Sequence, residues 1–372
     1  MSRITVVSEP EELVINSSED LKVLMQRLQD SGIERCGVDT EADSLHSYRE
    51  KLCLVQLVAD DLLAIIDPLQ IDSDALLEFF EYLSGLEIWM HGADFDMTLM
   101  QRTFNLVPER IMDTQLASRL VGHEKFGLAN LIEEYFGVVL SKSSQKADWG
   151  ARPIKEKLLR YAFDDVRYLM PLADNLLGKL DSLGRRPWFE EWCQYCRENV
   201  LERKERSPDE VWRITGWGKL DRKTLAFLRE LWLWRDQEAQ IRDWPSFRIM
   251  TNSNLIDTAV KASKGGDVRG AKGLNSGQAQ RMREALQRAE KMKQDDWPKK
   301  RLHTGGSREE VNAQAFDSLR SKRNQKAEEL GIDQTILATR STLETLANSP
   351  DLAPKLLMNW QYEVLYGGEA DS

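Results

Sequence analysis

Cysteine is scarce in this chain, and what there is cannot staple it. Four cysteines are spread over 372 residues. Cys36 and Cys53 lie in apolar, strand-like runs where a thiol behaves as a small hydrophobe, which excludes a disulfide framework. Cys193 and Cys196 form a single C-x-x-C in a Trp- and Glu-rich stretch that reads as helix. With no second pair and no histidine nearby, a zinc centre is not expected there. Long apolar runs are missing as well. None approaches the ~20 residues that span a bilayer, and Met1-Ser2-Arg3-Ile4 opens without the apolar stretch of a signal peptide. A cytoplasmic protein with no membrane partner is therefore expected. A surplus of positive charge is the third absence, for a formal charge of −10 argues against a surface that binds nucleic acid throughout.

What the chain does have, 41% hydrophobic and 30% charged residues, suits a globular protein of two or three domains. Its charge is uneven. Between Lys261 and Arg301 twelve basic residues stand against five acidic ones, an island that suits phosphate contacts or, equally, a lysine-decorated helical surface. An apolar run at Leu13-Val14-Ile15 precedes a helix capped by Ser18 and running to about Asp30. Strand-like runs at Arg35–Ala42, Leu52–Ala59 and Leu62–Asp67, joined by short polar connections, predict an antiparallel meander. A helix from Ser73 and a strand at Ile88-Trp89-Met90 continue the pattern of an α/β sheet domain. After Leu183-Gly184-Arg185-Arg186-Pro187 the pattern is helical to the end.

Three stretches gather carboxylates. Gly37-Val38-Asp39-Thr40-Glu41-Ala42 closes a buried strand, and because side chains alternate, Asp39 and Glu41 share one face. Two carboxylates held side by side repel, a cost that a divalent cation between them removes; the plainer alternative is a strand-end turn with Glu41 in water. In His91-Gly92-Ala93-Asp94-Phe95-Asp96-Met97, Asp94 sits at the expected N-cap of a helix reaching Phe104. Asp96 aligns with Leu99 and Met100 and so faces inward, either as a ligand or as a second acid favoured by the helix dipole. A long helix is predicted from about Lys155 to Leu180. On it Tyr161 and Asp165 fall together beside the apolar stripe while Asp164 points to water, a spacing that serves a reactive site or a surface hydrogen bond.

In order and spacing these pieces resemble the DEDDy branch of the DEDD superfamily of 3′→5′ exonucleases, and within it the ribonuclease D family. The first exonuclease motif matches at Asp39 and Glu41, the second at Asp96, and the third at Tyr161 and Asp165 in Tyr161-Ala162-Phe163-Asp164-Asp165. The stretch Lys146-Ala147-Asp148-Trp149-Gly150-Ala151-Arg152-Pro153 is similar to the same family. Residues 207–293, with Trp217-Gly218-Lys219-Leu220 and Asp243-Trp244-Pro245, resemble an HRDC domain. Residues 305–372, with Glu329-Leu330-Gly331-Ile332, resemble a fainter second copy.

The resemblance implies an α/β ribonuclease-H-like exonuclease domain over residues 1–200, a mixed sheet flanked by helices, followed by two all-α HRDC-like domains. It implies hydrolysis of 3′-terminal nucleotides of structured RNA, tRNA precursors among them, by a monomer. Asp39, Glu41, Asp96 and Asp165 are expected to hold two Mg²⁺ or Mn²⁺ ions, hard cations that oxygen-only ligands favour. Tyr161 is expected to orient the attacking water, since a phenol with a pKa of about 10 is a poor base. Thr40, Leu45, His91, Lys146, Trp149 and Arg152 are the expected substrate contacts, and Trp217 is a base-stacking candidate. Metal and phosphate ligands do not read the 2′-OH, so DNA in place of RNA is one alternative; a non-catalytic RNA-binding scaffold is the other.

Overall fold

The computed structural model describes residues 10–141, 143–204, 207–268, 273–300 and 311–367. They fall into two units, one within Met1–Ala42, Leu52–Arg203 and Arg308–Ser372, the other within Asp43–Lys51 and Lys204–Ser307.

The first unit is built on a mixed sheet. Its elements run β1 (Glu11–Ile15), α1 (Ser18–Ser31), β2 (Arg35–Ala42), β3 (Leu52–Ala59), β4 (Leu62–Ile66), α2 (Ser73–Ser84), β5 (Glu87–Met90), α3 (Asp94–Phe104), β6 (Arg110–Asp113), α4 (Thr114–Val121), α5 (Leu128–Phe136), α6 (Glu156–Arg167), α7 (Leu169–Ser182) and α8 (Arg186–Glu202). The strands lie in the order β1-β4-β3-β2-β5-β6. The predicted meander of β2, β3 and β4 is present, and β1, β5 and β6 each join a neighbour in parallel. Ser17 rather than Ser18 caps α1, its side chain accepting from the Asp20 amide.

Every residue of β3 and β4 is buried, as central strands covered on both faces require. On one face Val38, Val55, Leu57 and Ala64 pack among Leu21, Leu24, Phe79 and Phe80. On the other, Leu54, Val58, Leu63 and Ile65 pack with Ala162, Phe163 and Val166 of α6. Register decides which face carries the acids. Asp39 is paired with Gln56 and Glu41 with Leu54, so both point to the α6 side. Gly37, paired with Val58, has no room for a side chain: a Cβ there would lie 2.6 Å from Val58 Cγ1 and 3.1 Å from Leu169 Cδ2. Its absence lets the start of α7 close onto the sheet.

The single helix expected from Lys155 to Leu180 is in fact two. α6 ends at Arg167 and α7 begins at Leu169, with Tyr168 at φ −102° and ψ 1° between them. Pro171 is the cause, since within a continuous helix it would remove one N–H and crowd the carbonyl of Arg167.

The second unit carries α9 (Arg222–Arg242), α10 (Ser246–Ile249), α11 (Asn252–Ser263) and α12 (Ser276–Lys291), packed around Leu225, Leu228, Leu231, Trp234, Leu255 and Met282. The Asp43–Lys51 loop belongs to it, with the Tyr48 hydroxyl donating to Asp236 at 3.0 Å and Lys51 Nζ 3.1 Å from Asp243. Two cations of the basic island are internal ties. Arg281, with Arg242, binds the buried carboxylate of Glu238, and Arg288 lies 2.8 Å from Glu230. Arg269, Lys272 and Arg301 of that island lie outside the described residues. Trp217 is partly buried against this core, and the Arg213 guanidinium covers its ring at 4.5 Å from the centroid, which takes up one face of the expected stacking platform.

Back in the first unit, the chain closes with α13 (Ala313–Leu330), α14 (Gln334–Leu337), α15 (Arg340–Asn348), α16 (Ala353–Leu356) and α17 (Asn359–Tyr366). They occupy the stretch 305–372 for which a second HRDC-like copy is expected, of which 305–310 and 368–372 lie outside the described residues. Their apolar faces do not make a core apart. Ala327, Ile336, Leu343 and Trp360 share one cluster with Leu120 of α4, Leu176 of α7 and Phe189 of α8. Buried Arg185 donates to the carbonyls of Leu120 and Leu330 at 2.6 Å each, and Trp360 stacks on Trp188 with centroids 5.0 Å apart. Trp360→Ala should therefore cost about 3–5 kcal/mol of the whole unit's stability. In urea denaturation followed by circular dichroism, the expected result is one transition shifted to lower urea; a separate early transition with the main one unmoved would show that α13–α17 fold on their own.

Candidate active site

A cavity of about 350 Å³ opens at the end of β2, with Asp39, Thr40, Glu41, His91, Tyr161 and Asp165 among its lining residues. Strand β2 delivers the first three and α6 the last two: alternation along β2 aims Asp39 and Glu41, and helix phase along α6 aims Tyr161 and Asp165, at the same space. Asp96 is nearly buried and accepts a hydrogen bond from the Thr40 hydroxyl. A further carboxylate places it. The amides of Gly92 and Ala93 donate to the two oxygens of Asp113 at 2.9 Å each, and Asp113 also caps α4 by accepting from the Gln115 amide at 2.7 Å. Asp113 thus pins the turn from which α3 starts. Its sequence signal was an N-cap aspartate just before the apolar pattern of Leu116, Ala117 and Leu120.

Asp94 does not have the capping role expected of it. The cap position of α3 is Ala93, and Asp94, exposed in the first turn, pairs with Arg203 at 2.7 Å. Because α3 starts one residue earlier than expected, Asp94 is its first helical residue and its carboxylate is left to the surface. Asp164 is likewise diverted from the cavity, its carboxylate 3.5 Å from Arg167 one turn on.

Burial and mutual repulsion govern the electrostatics. Asp39 is held well above the usual carboxylate range, first by burial and then by Asp96, Asp165 and Glu41. Glu41 is pushed up to about 8 by burial together with Asp165 and Asp96. Burial raises Asp165 to about 7 and Asp96 to about 6, while hydrogen bonds from Tyr161 and Thr40 respectively pull them back. The Tyr161 hydroxyl donates to Asp165, and burial plus the charges of Asp165, Glu41 and Asp39 raises its pKa further. It stays protonated at neutral pH. No lysine or arginine is among the principal charges acting on the four acids.

An oxygen-only, anionic and half-enclosed donor set of this kind fits a hard divalent cation. The four carboxylates are nonetheless spread: among the described residues, no three His, Cys, Asp or Glu side chains are gathered closely enough to hold an ion. Their repulsion accounts for the spread, and Asp96 is engaged by Thr40.

The other expected contacts fall differently. Lining the cavity, His91 has Nδ1 2.9 Å from Thr114 Oγ1, and burial lowers its pKa, so the ring is neutral at pH 7. Lys146 is exposed in a turn. Trp149 is 2% exposed and packs in the core beside the Tyr161 ring, with centroids 6.0 Å apart. Arg152 grips Asp67 at 2.6 Å and the carbonyls of Trp149 and Cys53 at 2.7 and 3.0 Å. For these last two residues a nucleotide contact gives way to an internal one, because the loop that carries them is folded onto β3 and α6. Leu45 lies, partly exposed, in the Asp43–Lys51 loop of the second unit. Gln115, Asn130 and Gln145 also line the cavity; as lone amides outside any motif they carried no sequence signal.

The 3′–5′ exonuclease family model matches residues 13–181, and the HRDC domain model residues 224–298. Ribonuclease D of Cronobacter turicensis is 34% identical over 225 residues, 60% of each chain. Ribonuclease D of Escherichia coli is 27% identical over 344 residues, 88% of this chain and 90% of that one. The crystal structure of the Escherichia coli enzyme, described as an exoribonuclease involved in structured RNA processing, superposes with a TM-score of 0.70 at 26% identity over 96% of both chains. The chain is a 3′–5′ exoribonuclease that resembles ribonuclease D over nearly its whole length. The signature acids of the ribonuclease D resemblance are thus found on a matching fold. Among the described residues, no helix is long and apolar enough to cross a membrane.

The raised carboxylates make stability depend on pH with a definite sign. The folded form keeps protons on Asp96, Asp165 and Glu41 that the unfolded chain releases at about pH 4. The stability they contribute is complete below that pH and is lost as pH climbs through about 6, 7 and 8. With a chelator present, the melting temperature should fall across this window. The rise in melting temperature on adding Mg²⁺ should be larger at pH 8 than at pH 5.5, as differential scanning fluorimetry would record; an equal rise at both would disprove the coupling.

Proposed function

We propose that this 3′–5′ exoribonuclease hydrolyses its substrate at the Asp39–Glu41–Asp96–Asp165 cluster, with Tyr161 as the group that orients the attacking water. The observation that carries this reading is a set of half-enclosed carboxylates raising one another's pKa values, with no lysine or arginine among the principal charges acting on them. Two Mg²⁺ or Mn²⁺ ions held there would supply the charge neutralisation and water activation that phosphodiester hydrolysis needs. Asp39 and Glu41, on rigid strand, set one side of the site, and Asp165 sets the other from α6. Thr40 keeps Asp96 oriented by donating to it. Tyr161 holds its proton, donates to Asp165, and offers its oxygen to position water in line with the scissile bond. Neutral His91 can hydrogen-bond the terminal sugar or phosphate without adding charge.

Structured RNA 3′ ends, tRNA precursors among them, are the proposed substrates of a cytoplasmic monomer. Support comes from the Escherichia coli relative, which is described as processing structured RNA. The exposed Lys261, Lys264, Lys291 and Lys293 of the HRDC unit are suited to phosphate contacts along such an RNA.

Matched 3′-labelled RNA and DNA oligonucleotides digested in Mg²⁺ test the substrate class: faster loss of RNA is expected, and equal or faster loss of DNA would sink the RNA assignment. Asp165→Asn should lower kcat by about 10³-fold or more, whereas Asp164→Asn, bound to Arg167 and aimed away from the cavity, should stay close to wild type. Comparable losses in the two variants would contradict the geometry. Tyr161→Phe should lower kcat by about 10²-fold with little change in RNA affinity; a matching loss of affinity would contradict the orienting role.

A further inference from the structure

Gln56 sits in the middle of β3 with no exposed surface, and neither its amide nitrogen nor its amide oxygen has a hydrogen-bond partner. A buried amide left unmet weakens a fold. The residues around it in the strand, Leu54, Val55, Leu57 and Val58, are apolar and completely or almost completely buried, so an apolar side chain of the same size would serve packing better. The register supplies another reason for the amide. Gln56 is paired with Asp39 on β2 and with Ile65 on β4. Directly paired side chains share a face with Cβ atoms about 4.5–5.5 Å apart, and this face is the one covered by α6, which carries Tyr161 and Asp165.

The polarities match. An ionised carboxylate only accepts, and a primary amide brings two N–H donors. In the same core cluster Trp149 also has an Nε1–H that is buried without a partner, a donor suited to the amide oxygen and not to its nitrogen. The NH₂ group is matched instead by the carboxylate of Asp39, its partner in register.

We propose that Gln56 is a positioning residue for Asp39, its amide NH₂, free of any other partner, turning to donate to one carboxylate oxygen when the other oxygen takes a cation. Hydrogen bonds behind a metal-binding carboxylate fix its direction, and their loss weakens the site. The inference rests on the reading of Asp39 as a cation ligand.

Mn²⁺ binding to full-length wild type, Gln56→Met and Asp39→Asn, followed by titration calorimetry, tests it, with thermal unfolding of each metal-free protein alongside. Methionine keeps the volume and removes the amide. Metal-free Gln56→Met should melt at or above the wild-type temperature yet bind Mn²⁺ roughly 10–100-fold more weakly, and at saturating Mn²⁺ its KM for RNA should be unchanged. A loss smaller than about tenfold in the folded variant, with binding abolished in Asp39→Asn, overturns the positioning role alone. Wild-type Mn²⁺ binding by Asp39→Asn overturns the cation-site reading and this inference with it. Should Gln56→Met fail to fold, Gln56→Leu removes the donors with a smaller apolar side chain. Weaker Mn²⁺ binding is expected there too, and equal or tighter binding overturns the proposal.

Discussion

Repulsion among four carboxylates, partly withdrawn from water and within one another's fields, is the constraint on which the rest of this structure depends. Asp39 is raised first by burial and then by its three acidic neighbours, so the cluster exists only where protons or cations offset it. Keeping such groups together requires backbone that cannot relax. Asp39 and Glu41 stand on an internal strand, and Asp165 stands on a helix pressed against that strand's neighbour. Asp96 stands in the first turn of α3, just after the Gly92 and Ala93 amides bound by Asp113. Each support is a hydrogen bond or a packed face that would be lost if the acids moved apart.

The fold serves this end in small details. Gly37, without a side chain, lets the first turn of α7 approach the sheet. Pro171 breaks the helical run at Tyr168, so α6 and α7 follow separate paths. α6 covers β3 and β4, and α7 joins α8 and the C-terminal helices in a second cluster. The last helices therefore help to hold in place the element that follows the third motif, and their burial belongs to the same unit as the site.

Much of this was legible in the chain before the structure. Alternation in Val38-Asp39-Thr40-Glu41 set both acids on one face, and helix phase separated Asp165 from Asp164 and turned Asp96 inward. Those readings are local, and they succeed because backbone geometry repeats every two or 3.6 residues. Where a competing partner came from far along the chain, local reasoning fell short. Asp94 looked like a cap, but α3 begins one residue earlier, on a turn whose Gly92 and Ala93 amides are held by distant Asp113. Trp149 and Arg152 looked available to substrate, yet Asp67 and the β3 backbone take up the arginine, and the core takes up the tryptophan. The helix break at Tyr168 was a missed local signal, since Pro171 was in plain view.

The sequence by itself determined the identity of the acids, the strands and helices that bear them and the faces they occupy, because these follow from side-chain chemistry and backbone periodicity. Only the tertiary structure decided which distant groups meet: Thr40 with Asp96, Gln56 in register with Asp39, Trp188 stacked on Trp360. Such pairings are set by strand register and by which apolar faces find each other, and these minimise the free energy of the whole chain, so no single window of residues encodes them.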